Sequence, residues 1–380
     1  MAPDNAPTSR TATFDRRRRQ ATERLAAIGA DALVLTPGRN FQYLSGFFEH
    51  QSERHFLLFV PVDNDPIALV PELSAEQFLA ATTIDDVRTW SDDEGPKRAL
   101  ETIVDDLDLH GGSILFDDTM WTLFAQDLRA AIDEGNFGLA SDVLEALRLR
   151  KDDAEIDALR RAGTVADEAM AAIRDLGADA IGMTEAELAA EIERELTNAG
   201  GAGVSFETIV GSGPNGAMPH YTHGDRTIEP GDPVVLDFGT RVDGYPSDQT
   251  RTIVFAGEPP AEFETVHATV LEAQTEAIDT IEPGVTAHSV DEAARSVIEA
   301  AGYGDAFVHR TGHGVGLDVH EAPDIVAGND LELEPGMVFS VEPGIYLADR
   351  FGVRIEDLVV VTADGCERLN RTDRDWTAQS

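Results

Sequence analysis

An aspartate that ends an apolar strand is costly to bury unless it is paired, hydrogen-bonded or bound to a metal. The segment Val234-Val-Leu-Asp237-Phe-Gly-Thr-Arg-Val-Asp-Gly-Tyr-Pro-Ser-Asp248-Gln-Thr-Arg-Thr-Ile-Val-Phe255 sets such a residue in a tightly determined context. Asp243-Gly244 is a favoured two-residue hairpin turn, which places Val242 against Tyr245 and hence Asp237 against Thr250. Asp248, two residues from Thr250, then falls on the face of Asp237, one diagonal step away. The turn therefore predicts two converging carboxylates.

Two more acids stand in similar surroundings, Glu342 within the apolar stretch 337–346 and Glu356 within 351–361. Both stretches read as strands, and alternation puts Arg354 and Glu356 on one face with Val353 and Ile355 on the other. Between the two hairpins runs His309-Arg-Thr-Gly-His313-Gly-Val-Gly-Leu-Asp-Val-His320-Glu-Ala-Pro323. Its glycines around His313 prevent a regular helix and let backbone come close to a ligand. Asp237, Asp248, Glu342 and Glu356 with one imidazole from this segment make the set that two neighbouring oxygen-seeking divalent ions need. Ions bridged at ~3.5–4 Å lower the pKa of a shared water, and amide hydrolysis by the bridging hydroxide is the natural use. The single cysteine, Cys366, excludes an internal disulfide and a multi-cysteine zinc site. No Ser-His-Asp or Cys-His signature competes.

At 380 residues the chain exceeds the roughly 250–300 at which one core stops growing. The first part alternates helix (14–29, 74–81, 96–107) with apolar strand runs (32–35, 56–62, 66–71) around a turn at Thr36-Pro-Gly-Arg-Asn40. It reads as an α/β domain without clustered chemistry. The charged stretch Arg148–Glu155 marks the junction, predicting an N-terminal domain over 10–147 and a catalytic domain over 148–372. The second part mixes helices at 184–199, 262–281 and 287–301 with strand-turn-strand segments, an α+β pattern. With no apolar run of membrane-spanning length and no signal-peptide layout, a soluble cytoplasmic protein is expected.

The net charge of −42, from 71 acidic and 29 basic residues, is dispersed along the chain. Such a surface repels itself in dilute buffer, whereas at ~1 M salt the Debye length falls to ~3 Å. Lys97 and Lys151 are the only lysines, and scarce lysine with abundant acid resembles proteins of extreme halophiles. The charge also argues against nucleic acid as a partner. Gly211-Ser-Gly213-Pro-Asn-Gly216 matches the dinucleotide fingerprint by letter, but Pro214, Pro219 and Gly224 deny it the helix it needs.

These motifs together resemble the pita-bread metallopeptidases, which include methionine aminopeptidase, prolidase, aminopeptidase P and the non-peptidase creatinase. Arg39-Asn-Phe-Gln-Tyr-Leu-Ser-Gly-Phe47 looks like the hallmark of a creatinase-type N-terminal domain, and the ligand motifs stand in family order, Asp237 and Asp248 being eleven residues apart. The resemblance implies a pita-bread catalytic domain behind an α/β creatinase-type domain. It implies that Asp237 chelates one metal, that Asp248 and Glu356 bridge two, and that His313 and Glu342 complete the other. Pro219-His220-Tyr221 looks like the site of the histidine contacting the scissile amide, His320 like the one steadying the carbonyl, and His309 like the one lining the pocket. The pairing of Arg354-Ile-Glu356 with Glu342-Pro-Gly-Ile-Tyr346 resembles the Xaa-Pro enzymes, with Arg354 and Tyr346 on the substrate.

The implied activity is cleavage of the bond preceding proline in a small peptide with proline second, as dipeptidase or aminopeptidase. The implied cofactors are two divalent ions per chain, Mn²⁺ first with Co²⁺ and Zn²⁺ as alternatives, and the implied assembly is a homodimer away from membranes. Two other readings stand beside it: a hydrolase of a small non-peptide amide such as ectoine, and a catalytically silent binding protein on the same scaffold.

Overall fold

Residues 6–378 are described by the computed structural model, in which the chain divides into two units between Arg148 and Leu149. The first unit runs α1 (Ala6–Ile28), β1 (Ala32–Leu35), α2 (Arg39–Ser45), β2 (Leu57–Pro61), β3 (Ile67–Pro71), α3 (Glu72–Ala81), β4 (Asp86–Trp90), α4 (Lys97–Asp106), β5 (Ser113–Phe116), α5 (Thr122–Ala131), β6 (Asn136–Leu139) and α6 (Ser141–Arg148). Its strands form one mixed sheet in the order β4-β3-β2-β1-β5-β6. The expected turn at Thr36–Asn40 is shorter than the sequence suggested: Gly38 O already accepts from Gln42 N (3.0 Å), so Arg39 and Asn40 open α2. The aromatic residues of this stretch are core. Phe41 packs edge-on to Phe56 and Phe78, with ring centroids 5.1 and 5.9 Å away, and Phe47 packs edge-on to Phe78.

The second unit begins with α7 (Asp153–Asp175) and α8 (Glu185–Asn198). Each opens on a reciprocal capping box, Asp152 with Glu155 and Thr184 with Glu187, which satisfies amides that a helix start leaves bare. There follow β7 (Ile209–Ser212), β8 (Val234–Phe238), β9 (Arg241–Val242), β10 (Tyr245–Pro246), β11 (Gln249–Ile253), α9 (Phe263–Asp279) and α10 (Ala287–Ala300). The remainder is strand: β12 (Gly312–Gly314), β13 (Glu321–Ile325), β14 (Val338–Val341), β15 (Gly344–Leu347), β16 (Phe351–Arg354), β17 (Asp357–Val361) and β18 (Cys366–Arg368). β8 lies between β11 and β7, and its residues Val234, Leu236 and Phe238 pack into one core with α7 and α8. α9 and α10 share a second core with β14, β16 and β17. Helices thus cover the outer face of each sheet, and the inner faces are left for polar residues.

The hairpin register agrees with the turn argument, since Tyr245 pairs with Val242 and Thr250 with Asp237. The glutamate segments need correction. Neither Glu342 nor Glu356 lies inside a continuous strand: β14 pairs with β17 and β15 with β16, and the chain changes ladder at Glu342-Pro343 and at Ile355-Glu356. Pro343 has no amide to donate, so a central ladder cannot run through it. Each glutamate's own amide is taken by another part of the chain, Glu342 N donating to Thr311 O (2.8 Å) just before β12 and Glu356 N to Thr250 O (3.0 Å) in β11. The glycines around His313 also serve another end than expected. A Cβ on Gly312 would stand 1.8 Å from Ser340 O, and one on Gly314 2.1 Å from Ala322 O. They admit neighbouring backbone, not a ligand.

Among the described residues no helix is long and apolar enough to cross a membrane. Lys97 is exposed, whereas Lys151 is buried and pairs with Glu321 at 2.8 Å. With 71 acidic residues against 29 basic ones, unfolding midpoints should rise steeply between dilute buffer and molar KCl as repulsion is screened. A flat midpoint across that range, followed by circular dichroism, would remove the saline reading of the composition.

Candidate metal centre

The inward face of the β8–β11 hairpin, the ladder changes at Glu342 and Glu356, and β12 converge on a cavity of about 590 Å³. Asp237, Asp248, His309, His313, His320, His220, Glu342, Arg354 and Glu356 all line it. Tyr346 is buried behind them. The sequence-derived set is therefore assembled in one place, from segments more than a hundred residues apart.

The ligand atoms of Asp248, His313 and Glu356 lie within 4.8 Å of one another, and all three side chains are buried. His313 Nε2 is 3.7 Å from Asp248 Oδ2 and 3.3 Å from Glu342 Oε1. Its other nitrogen, Nδ1, faces Gly314 O at 3.2 Å. A carbonyl only accepts, so Nδ1 carries the proton and the Nε2 lone pair points at the carboxylates. Burial pushes His313 down to about 4, which keeps the ring neutral at neutral pH. A lone pair facing carboxylate oxygens calls for a cation between them. Two further oxygens have the same need: Asp237 Oδ1 and Glu356 Oε1 are buried without a hydrogen-bond partner among the described residues. Burial, followed by the charges of Glu356 and Asp237, raises Asp248 well above the ordinary carboxylate range. Glu356 is raised likewise by burial and then by Glu342 and Asp237, and burial raises Glu342 as well. Hard divalent ions fit this donor set: they would replace the missing partners and relieve the repulsion.

Around the acids stands a fixed polar frame. Thr250 Oγ1 donates to Glu356 Oε2 (2.7 Å), and Ser340 Oγ donates to Glu342 Oε1 (3.0 Å) while accepting from His313 N (3.0 Å). Arg354, buried, donates to Asp237 Oδ2 (2.6 Å), to Tyr346 Oη (2.9 Å) and through Nε to Thr250 Oγ1 (3.1 Å). Burial opposes its charge, but Tyr346, Asp237 and Glu342 hold the guanidinium firmly protonated. Since arginine only donates, Tyr346 must pass its own proton on to His309 Nε2 (2.9 Å). His309 Nδ1 in turn donates to Arg310 O (2.7 Å), and burial lowers the pKa of this ring, in keeping with a neutral imidazole. Asp237, Arg354, Tyr346 and His309 thus form one directional chain of hydrogen bonds. His320 packs against His313 with ring centroids 4.1 Å apart and the rings inclined at 47°. His220, on the loop after β7, is exposed to the cavity, and its ring makes no hydrogen bond to the described residues.

Sequence reasoning passed over Thr250 and Ser340. Both signals were present, as Thr250 is the cross-strand neighbour of Asp237 and Ser340 precedes Glu342 by two. Arg310, paired with Asp324, and Glu207 at the cavity rim carried no such signal.

The sequence matches metallopeptidase family M24 over residues 157–363 and the creatinase/prolidase N-terminal domain over residues 17–150. It is 42% identical over 364 residues to the probable dipeptidase PepE of Mycobacterium tuberculosis, covering 94% of each chain. To the Xaa-Pro dipeptidase of Lactobacillus helveticus it is 41% identical over 342 residues, covering 88% of this chain and 90% of that one. Among solved structures it superposes on recombinant prolidase from Thermococcus sibiricus with a TM-score of 0.92 at 38% identity, over 96% of this chain and 98% of the other. The second unit accordingly has the pita-bread fold, with a creatinase-type unit before it. The chain belongs to metallopeptidase family M24, as a metal-dependent peptidase that carries a creatinase/prolidase N-terminal domain.

Proposed function

We propose that the protein hydrolyses the peptide bond preceding proline in short peptides, as an Xaa-Pro dipeptidase or aminopeptidase with two divalent ions per chain, Mn²⁺ first among them. The observation that carries this reading is the buried cluster of Asp248, His313 and Glu356, in which the His313 Nε2 lone pair faces carboxylates, beside an Asp237 Oδ1 and a Glu356 Oε1 that lack a partner among the described residues. Similarity over nearly the whole chain to an Xaa-Pro dipeptidase supports the substrate class. Asp237, Asp248, His313, Glu342 and Glu356 would hold the ions, which when bound supply a nucleophilic hydroxide at neutral pH and polarise the scissile carbonyl.

The chain's own residues then have separate tasks. Ser340 and Thr250 orient the glutamates, and Arg354 fixes one oxygen of Asp237. His309 gives the substrate a neutral wall, backed by Tyr346. His320 lies beside His313 and lines the cavity, where it can steady the carbonyl oxygen as it gains charge. His220 is free to meet the scissile amide and to protonate the proline nitrogen as it leaves. The partition into 10–147 and 148–372, a homodimeric assembly and a saline cytoplasm belong to the same proposal.

A panel of Xaa-Pro dipeptides, Xaa-Pro-Yaa tripeptides, proline-free peptides and ectoine, assayed in molar KCl with Mn²⁺, Co²⁺ or Zn²⁺, tests it. Turnover confined to bonds preceding proline is expected. Preference for proline-free peptides or for ectoine would overturn the substrate assignment while leaving the metal site standing.

A further inference from the structure

Among the described residues the His220 ring has no hydrogen-bond partner, so its position depends on the backbone that carries it. That backbone is held from outside the cavity by an acid that the chemistry does not use. Glu185, the first residue of α8, is fully buried. Its Oε1 accepts from Ser212 N (2.8 Å), Ser212 Oγ (2.6 Å) and Asn215 Nδ2 (3.0 Å), and its Oε2 accepts from Tyr221 Oη (2.7 Å). Ser212 and Asn215 enter the loop and Tyr221 directly follows His220, so one carboxylate grips both limbs. The first amides of α8 hold the far end, Glu185 N donating to Arg226 O and Ala186 N to Gly224 O, both at 3.0 Å. Gly224 makes room for the phenol, because a Cβ there would stand 2.5 Å from Tyr221 Oη. The phenol, pushed up to about 12 by burial and then by its bond to Glu185, stays protonated and donates.

An acid in the first turn of a helix ordinarily favours the helix dipole and faces water. Glu185 instead spends its acceptor capacity on the loop between β7 and β8. Charge-assisted bonds of this kind are about twice as strong as neutral ones, and four donors converging on one carboxylate fix a loop that has no regular structure beyond the five-residue 3-10 turn Gly213–Ala217.

We propose that Glu185, acting through Tyr221, Ser212 and Asn215, is a positioning residue that sets His220 against the substrate. The inference rests on the catalytic role given to His220 above. Tyr221→Phe is the cleaner variant, because Glu185 Oε2 keeps Asn215 as a partner (3.1 Å) and the fold is spared. In the metal-free protein, hydrogen–deuterium exchange over residues 213–222 should quicken in this variant while the rest of the chain keeps its protection. In the metal-loaded enzyme kcat should fall roughly tenfold with KM little changed, since small misplacement of a reacting group costs rate more than binding. Glu185→Gln, which lacks the charge, should show the same pattern more strongly. The deciding measurement is the double variant: if Tyr221 acts through His220, Tyr221→Phe should cost nothing further once His220 is alanine. An additive loss in that background, or unchanged exchange over 213–222, overturns the positioning role. Full turnover by His220→Ala alone would instead remove the role of His220, and the inference with it.

Discussion

Glu356→Gln is expected to abolish peptide hydrolysis and, in the metal-free protein at neutral pH, to raise the melting temperature. Both effects have one source. Glu356 is 1% exposed, its Oε1 has no partner among the described residues, and burial with the charges of Glu342 and Asp237 raises its pKa well above the ordinary range. A carboxyl whose pKa is higher folded than unfolded contributes its full stability below the unfolded pKa, where both states are protonated. It loses that contribution as pH rises through the folded value. Without metal the cost of ionising this buried group therefore grows with pH, and the neutral amide of the same shape is spared it. With chelator present, the variant's advantage should grow from pH 5 to pH 8 and vanish in acid. Restored metal should reverse the order, because ions that bind the native site stabilise it by mass action and the glutamine lacks the ligating charge. Several kcal/mol of lost charge stabilisation corresponds to roughly 10³-fold or more in kcat. Metal content measured by mass spectrometry should drop below that of the parent. Unimpaired turnover by Glu356→Gln, or identical melting curves at every pH, would sink the proposed centre.

His220→Ala should separate catalysis from metal binding. The residue is exposed, lies outside the ligand set and forms no hydrogen bond to the described residues, so its removal should move stability by no more than ~0.5 kcal/mol. If the imidazole meets the scissile amide, the contact matters most as the C–N bond breaks and the nitrogen gains a proton. A loss of roughly 10²–10⁴ in kcat is then expected, the span usual for lost acid-base assistance. KM should change less, because a contact made chiefly in the transition state appears in kcat and kcat/KM together. Metal content and melting temperature should match those of the parent. Lost stability at nearly unchanged turnover would mark His220 as a loop residue of structural importance only.

How far the site could be read from sequence varied with the range of the interaction. The convergence of Asp237 on Asp248 follows from a two-residue turn, and the pairing of Asp237 with Thr250 is as that turn requires. The position of Glu342 and Glu356 at changes of ladder was masked by the apolar residues around them, although Pro343 was a local sign that a strand must end there. The buried pair Arg251–Asp357 was beyond reach. Arg251 alternates with Thr250 and Thr252, whose hydroxyls bond Glu356 and Arg354, and so points to the opposite face. Its five N–H groups are all spent, on Asp357 Oδ1 and on the carbonyls of Thr250, Glu356, Thr372 and Asp373. No local pattern forecasts the four of these partners, Asp357 among them, that lie more than a hundred residues away. Glu185 was hidden differently, since an acid after Thr184 reads as routine helix capping.

The hairpin between the two glutamates turns at residues 348–350, which are exposed, with Asp349 in the left-handed region (φ 59°). Glu342 and Glu356 are anchored to Thr311 and Thr250, not to this turn, so the number of residues spanning them is uncoupled from their separation in space. Lengthening or shortening that tip should therefore leave the geometry of the two acids unchanged. The same independence makes the tip a suitable graft point, where an epitope or fluorophore would report on the enzyme while leaving its centre in register.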